Sequence, residues 1–471
     1  MTLAVWLPLV PGFLLLGAIL TSLFPKRAQP IAVGAVSLSF VDAILCTVAS
    51  RLRAGSNPSW GPLRLDALGA PELLLTLGLS LAVLVSAPRR RVDTLEPTTT
   101  VWLALTIGMC ALSATAWWLG VWQLLALVPV CWRLRSHRNI RVTSFSFFGF
   151  GSAVPLALVL IVHDMRPWAT AHGYSLLAAE PLRTAELWVL WVSLLARMGM
   201  FPIHSWLLRL SARGPLDVAL LTTQSGMSLL LFVRLMPVAL HLNTLWGSLP
   251  LYAVMVAGLL GAWFASLMAV GQQDLRRGVA SVSMSVHNLL LVALASANMP
   301  SVSGAMMYST AIGLGVGGLM LVGVWTVARV GQSALAKLGG LGQRTPHLAM
   351  AYLTFSAVTF GLPGTLTFVA EDLMMHGLLE HRPVLAAFMM GCTVLNAIAL
   401  MRLFARAYLG AGTQCHGEGI DLLPRERWVA VSLIAAALVL GVYPDPLLRA
   451  RDIVASDVLR LEHQSASKEA P

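Results

Sequence analysis

Apolar residues fall along the chain in long runs separated by short polar stretches. Seven runs lie near 3–24, 31–50, 66–87, 100–116, 117–132, 145–163 and 184–203. Seven more lie near 216–237, 245–270, 279–297, 303–328, 348–379 (interrupted), 383–408 and 427–444. A helix crossing the hydrocarbon core of a bilayer needs about 20 mostly apolar residues. The pattern therefore predicts an all-α polytopic membrane protein with about 14 transmembrane helices. The first run lacks a basic leader and is followed by Pro25, Lys26 and Arg27 rather than a small-residue cleavage site, so it reads as a retained helix.

Composition agrees. Of 471 residues, 57% are hydrophobic and 11% charged, against roughly 25% charged in a soluble domain, which excludes a soluble globular protein. The net charge of +11 does not indicate nucleic acid, because the basic residues stand singly or in twos and threes between apolar runs. Cys46, Cys110, Cys131, Cys392 and Cys415 show no metal-finger or CxxC spacing, so neither a disulfide framework nor an iron-sulfur site is expected. No nucleotide, flavin, haem, quinone or metal constellation is legible, so no cofactor and no redox site is expected in this chain. The run Gly313, Gly315, Gly317 and Gly318 lies inside an apolar stretch with no preceding strand and reads as close helix packing rather than a phosphate cradle. Trp117 and Trp118 are expected at the membrane interface.

Orientation follows from Lys and Arg in alternate loops. With the N-terminus outside, twenty basic residues fall in cytoplasmic loops, from Lys26 and Arg27 through Arg133, Arg276, Arg277 and Arg329 to Arg427. Eleven fall in the opposite loops and the tail, Arg234, Arg449 and Arg451 among them. The remaining one, Arg197, lies inside the seventh run.

An ionisable side chain in hydrocarbon is a functional candidate by default. Arg197 stands in LLARMGMFPIHSW, where Gly199 and Pro202 interrupt the helix just before His204. It reads either as a functional charge or as a partner for carbonyls that the interruption frees. A second interruption, Gly361, Leu362, Pro363 and Gly364, precedes Glu371, Asp372 and His376, with Glu371 about two turns past the break. Broken helices at corresponding places in two halves point to inverted repeats with an ion route between them. The breaks in spans seven and twelve predict two inverted five-helix repeats, spans four to eight and nine to thirteen. The expected units are 1–99 (helices 1–3), 100–240 (first repeat), 241–410 (second repeat) and 411–471 (loop, last helix and short tail).

Five segments in order, LLARMGMFPIHSWL, GPLDVALLTTQSGMSLLLFVRLMP, QDLRRGVASVS, TPHLAMAYLTFSAVTFGLPGTLTFVAEDL and LNAIALMRLFARAYLG, resemble the antiporter-like membrane subunits of respiratory complex I (NADH:quinone oxidoreductase) and of multisubunit cation/proton antiporters. The likeness covers roughly residues 60–410, and GLPGT with FVAE is most similar to the M-type chain. The resemblance implies proton translocation at a lysine in the broken seventh helix paired with a glutamate in the fifth. Arg197 falls at the lysine position and Gln123 at the glutamate position. The family's eighth-helix lysine corresponds to Gly226, beside Gln224 and Ser225, and its eleventh-helix histidine to Ala311, while Glu371 is retained. Arginine keeps its charge and glutamine has none, so the usual pair cannot titrate as in the family, and altered or lost conduction is one expectation. The ion-translocation residues are thus expected to be Arg197, Glu371, Gln123 and His204.

Other candidates have two readings each. Asp42 is a cation ligand or a helix-packing hydrogen bond; His204 is a relay or a helix cap; His376 extends a relay from Glu371 or lies at the interface. His287 reads as a satisfied core histidine. The tail from Asp445 is short and mixed in charge, which argues against an L-type chain with a long lateral helix. The polar loop 413–426 is expected to touch a soluble partner on the cytoplasmic side. The function expected from the resemblance is a proton-translocating subunit of a complex I-like NADH dehydrogenase or hydrogenase-type assembly in the bacterial inner membrane, partnered by other membrane subunits and lipid. The alternatives are an energising subunit of an inorganic-carbon uptake or cation/proton antiporter complex, and a non-conducting membrane scaffold.

Overall fold

The computed structural model describes residues 6–52, 58–86, 96–135, 151–164, 184–197, 199–201, 203–224, 226–234, 236, 249–410 and 421–468. Pro202, Ser225, Cys415, the loop residues 413–420 and the basic residues Arg53, Arg89, Arg90, Arg91, Arg138, Arg141, Arg166 and Arg183 lie outside these.

The first half comprises α1 (Leu9–Leu23), α2 (Ala28–Leu52), α3 (Gly69–Ser86), α4 (Pro97–Ala111), α5 (Ala116–Arg135), α6 (Ala153–Asp164), α7 (Thr184–Arg197), α8 (Ser205–Arg213), α9 (Leu216–Gln224) and α10 (Met227–Arg234). The second comprises α11 (Leu249–Gly271), α12 (Leu275–Ala295), α13 (Met299–Val330), α14 (Pro346–Thr359), α15 (Leu366–His381), α16 (Pro383–Tyr408), α17 (Pro424–Val442) and α18 (Asp445–Lys468). A two-residue hairpin pairs Ser59 and Trp60 with Leu63 and Arg64. Local chemistry sets the helix ends. Proline opens α4, α14, α16 and α17, where its missing N–H costs nothing. Asp274 and Asn298 accept backbone N–H groups at the starts of α12 and α13.

Among the described residues, eight helices are long and apolar enough to cross a membrane, or nine if α17 and α18, bent by 71°, form one span. The six other apolar runs fall on α1, α4, α6, the α7–α8 pair, the α14–α15 pair and α17. The chain is thus a mostly helical integral membrane protein. At its centre α13, 32 residues long, packs against α3, α9, α12, α14, α15, α17 and α18. Its glycines permit this. A Cβ on Gly313 would meet the Gln224 carbonyl at 2.7 Å, and one on Gly318 would run into the Phe355 ring.

Both expected interruptions are present and share one geometry. In the seventh span, Gly199 has φ +70° and the Met200 N–H reaches back to the Leu195 carbonyl at 3.2 Å. In the twelfth, Gly361 has φ +77° and the Leu362 N–H reaches the Ala357 carbonyl at 3.0 Å. A left-handed glycine followed by this backward bond is the glycine-terminated end of a helix. Two features differ from expectation. The eighth run is not continuous, because α9 and α10 meet at Gly226, φ +71°. The tail is a 24-residue helix, α18, whose apolar stripe of Leu447, Ala450, Val454, Ala455 and Val458 is buried in the bundle.

Candidate functional site

Polar side chains are threaded through the interior between the helix breaks. Gln123 on α5 is 1% exposed and donates Nε2 to the Cys110 sulfur on α4 at 3.6 Å. Cys110 also stands within electrostatic range of Arg197 at the end of α7, which is 4% exposed. Of the carbonyls at the broken end of α7, that of Ala196 accepts the Trp206 indole N–H at 3.0 Å. His204 precedes α8 but makes no side-chain capping bond. Its ring stacks on Phe201 at 5.5 Å and meets Phe264 edge-on at 5.4 Å.

Deeper in the bundle, Gln224 at the end of α9 donates to Ser283 Oγ at 2.8 Å and Thr223 Oγ1 at 2.9 Å. His287 on α12 sets Nδ1 2.6 Å from the Ser283 carbonyl and Nε2 2.8 Å from that of Thr223. A neutral imidazole donates to only one of these, a protonated one to both. Ser266, Ser285 and Asn396 close a ring of hydrogen bonds across α11, α12 and α16, with separations of 2.8, 2.9 and 3.0 Å.

The second break holds Glu371. Its Oε1 accepts the Tyr308 hydroxyl at 3.2 Å. Its Oε2 lies 2.9 Å from where a Cβ on Gly361 would stand. The left-handed glycine both ends α14 and leaves room for the carboxylate. Asp372 and His376 are exposed on the other side of α15, where His376 pairs with Glu380 at 3.4 Å, which fits the interface reading of His376. Asp42 is buried on α2, and its Oδ2 has no hydrogen-bond partner among the described residues. No group of three His, Cys, Asp or Glu side chains able to hold a metal ion occurs among the described residues.

Arginines assigned to loops and tail prove to pair with carboxylates inside the protein. Arg133 reaches Asp217 and Glu96, each at 3.3 Å. Arg234 bonds Asp66 at 3.1 Å, both 1% exposed. Arg329 pairs with Glu426, and Arg451 of α18 bonds Glu72 of α3 at 2.6 Å. Sequence reasoning misses the last pair, although two signals are present. Glu72 stands within an apolar run, and Arg451 falls at helical spacing between Leu447, Val454 and Val458, on the apolar stripe.

Comparison with known proteins agrees with this architecture. The family described as NADH:quinone oxidoreductase/Mrp antiporter, transmembrane, matches residues 143–396. Subunit M of the NADH-quinone oxidoreductase of Mycobacterium tuberculosis is 30% identical over 195 residues, 41% of this chain and 35% of that one. Subunit M of Pseudomonas aeruginosa is 26% identical over 327 residues, 67% of this chain and 63% of that one. The matched stretches thus span from about a third to just under two thirds of those relatives' length. In fold, the chain is similar to a chain of respiratory complex I from Thermus thermophilus (TM-score 0.81, 20% identity, covering 96% of this chain and 99% of that one). It is equally similar to a chain of the Mrp complex from Dietzia sp. (TM-score 0.83, 16% identity, 98% of each). Both neighbours are chains of multisubunit complexes. With more than half its length matched, the chain belongs to the NADH:quinone oxidoreductase/Mrp antiporter family of membrane subunits.

Proposed function

We propose that this chain is a proton-translocating, antiporter-like subunit of a complex I-like assembly in a bacterial inner membrane, bound to other membrane subunits and driven by a soluble cytoplasmic partner. Electron transfer belongs to those partners. The observation that carries the reading is Glu371, a carboxylate at a broken helix, bonded by Tyr308 and seated in the space left by Gly361.

Glu371 is the proton-exchanging group of the second half. Arg197 is a fixed positive charge, since guanidinium does not release its proton in the working range. Gln123, which cannot titrate, orients the Cys110 and Arg197 region, and His204 lines the break between α7 and α8. The shared geometry of the breaks at Gly199 and Gly361 supports two repeats, residues 100–240 and 241–410, related by a pseudo-two-fold axis.

The test is proton uptake into proteoliposomes containing the complete complex. Glu371→Gln is expected to abolish translocation, and Gln123→Ala to weaken it. Wild-type pumping by Glu371→Gln would assign the chain to a non-conducting scaffold.

A further inference from the structure

The left-handed Gly226, between α9 and α10, lies against a charge that the route above leaves unused. Glu72, in the first turn of α3, accepts Arg451 Nη2 on Oε1 at 2.6 Å, and the two side chains are 2% and 0% exposed. Arg451 also donates to the Leu68 carbonyl and to Thr310 Oγ1, each at 3.3 Å. The other carboxylate oxygen, Oε2, is buried and has no hydrogen-bond partner among the described residues. It fills the space that a Cβ on Gly226 would take, with Ser309 Oγ 3.1 Å from the same point. One oxygen is therefore held by arginine and the other faces the break in the eighth span.

A pair that served only to join α3 to α18 would gain from engaging both oxygens with the guanidinium fork. An apolar pair at such a place is often as stable or more so. The bare oxygen directed at a helix break answers neither need, and it repeats the relation of Glu371 to Gly361 in a different part of the bundle.

We propose that Glu72 is a second proton-exchanging carboxylate of the route, reached through the gap at Gly226 and poised by Arg451 as a positioning residue. The inference rests on the proton-conducting reading of the chain. A proton entering at the gap bonds to Oε2 and converts the carboxylate to the acid. Arg451 keeps its charge and its bonds to Leu68 and Thr310. When the proton leaves for the next acceptor, the ion pair re-forms, so one proton enters and one departs.

Several charged groups on the packed elements are engaged elsewhere. Arg234 of α10 is held by Asp66, Asp217 of α9 by Arg133, and Arg329 of α13 by Glu426 of α17. Tyr308 of α13 is bonded to Glu371, and Cys110 of α4 lies by Gln123 and Arg197. On α2 the groups are Asp42 and Arg51. Among the described residues, Arg451 is the cation bonded to Glu72.

The experiment measures proton translocation against pH for the complete complex in proteoliposomes, with assembly checked by native gel and Glu371→Gln run alongside. Glu72→Gln is expected to assemble and to lower the rate by about tenfold or more. Arg451→Lys, which keeps the charge but not the fork, is expected to assemble and to move the pH midpoint. If Glu72→Gln pumps at the wild-type rate with an unchanged pH profile while Glu371→Gln is dead, this inference is overturned and the proton-conducting reading stands. If Glu371→Gln pumps normally, that reading fails and the inference falls with it. Should Glu72→Gln not assemble, Arg451→Lys decides: a moved midpoint supports the proposal and an unmoved one overturns it.

Discussion

Glu371 occupies room that only a glycine at position 361 leaves, with its Oε2 2.9 Å from the absent Cβ. The same residue must adopt φ +77°, which costs a side-chain-bearing residue about 1–2 kcal/mol. Gly361→Ala should therefore lower stability by about that amount and displace the carboxylate, depressing proton flux even where the complex assembles. Tyr308→Phe tests the other side, removing one hydrogen bond to Glu371 without touching the backbone. Flux in proteoliposomes and melting in detergent separate the two effects.

Asp66 and Arg234 form a pair sealed from solvent, and Arg234 also donates to the Ser113 and Ala111 carbonyls at 3.1 and 3.3 Å. Removing one partner of such a pair strands the other charge, at a cost of about 3–5 kcal/mol. Asp66→Ala should lower the melting temperature sharply, and Asp66→Ala with Arg234→Leu should be milder than the sum of the single changes. Additive losses in that double-mutant cycle would mean the two side chains act independently.

Asp421 ties the chain before α17 to the start of α14. Partial burial pushes its carboxyl up, but the backbone and ring N–H groups of His347 and the N–H groups of Leu422 and Leu348 outweigh this and hold it below the ordinary range. A depressed carboxyl contributes stability that is present above the unfolded value, about 3.9, and lost as pH falls through the folded one. Asp421→Asn should melt lower than wild type at pH 7, and the difference should close as the solution is acidified below about 4. A gap that persisted in acid would remove the carboxylate from the account.

Gln273, exposed between α11 and α12, reports orientation. In a background without native cysteines, Gln273→Cys should react with an impermeant maleimide in inside-out vesicles and stay unlabelled in spheroplasts. The reverse pattern would turn the molecule over.

Much of this architecture is legible in the amino-acid sequence. The breaks at Gly199 and Gly361 announce themselves because glycine and proline occur together inside apolar runs, and Glu371 follows from its depth beyond the second break. Gly226 is not legible as a break: a lone glycine without proline reads as a packing residue, and the Glu72 carboxylate that takes the place of its Cβ comes from another helix. The ion pairs are hidden for a related reason. Asp66 and Arg234 are 168 residues apart and Glu72 and Arg451 are 379 apart, and spacing along a chain carries no information about partners at that range. Each basic residue, taken alone at a helix end, looks like a loop charge.

The reach of α18 back to α3 also bears on how the molecule is made. Glu72 enters the membrane with α3, while Arg451 comes with α18, 379 residues later. Until α18 has been made, Glu72 lacks the guanidinium that its Oε1 accepts in the folded chain. The first half cannot reach its final packing while it waits. α18 thus acts as a late lock on α3, and a chain interrupted before it would leave a carboxyl group inside the bilayer without its arginine partner.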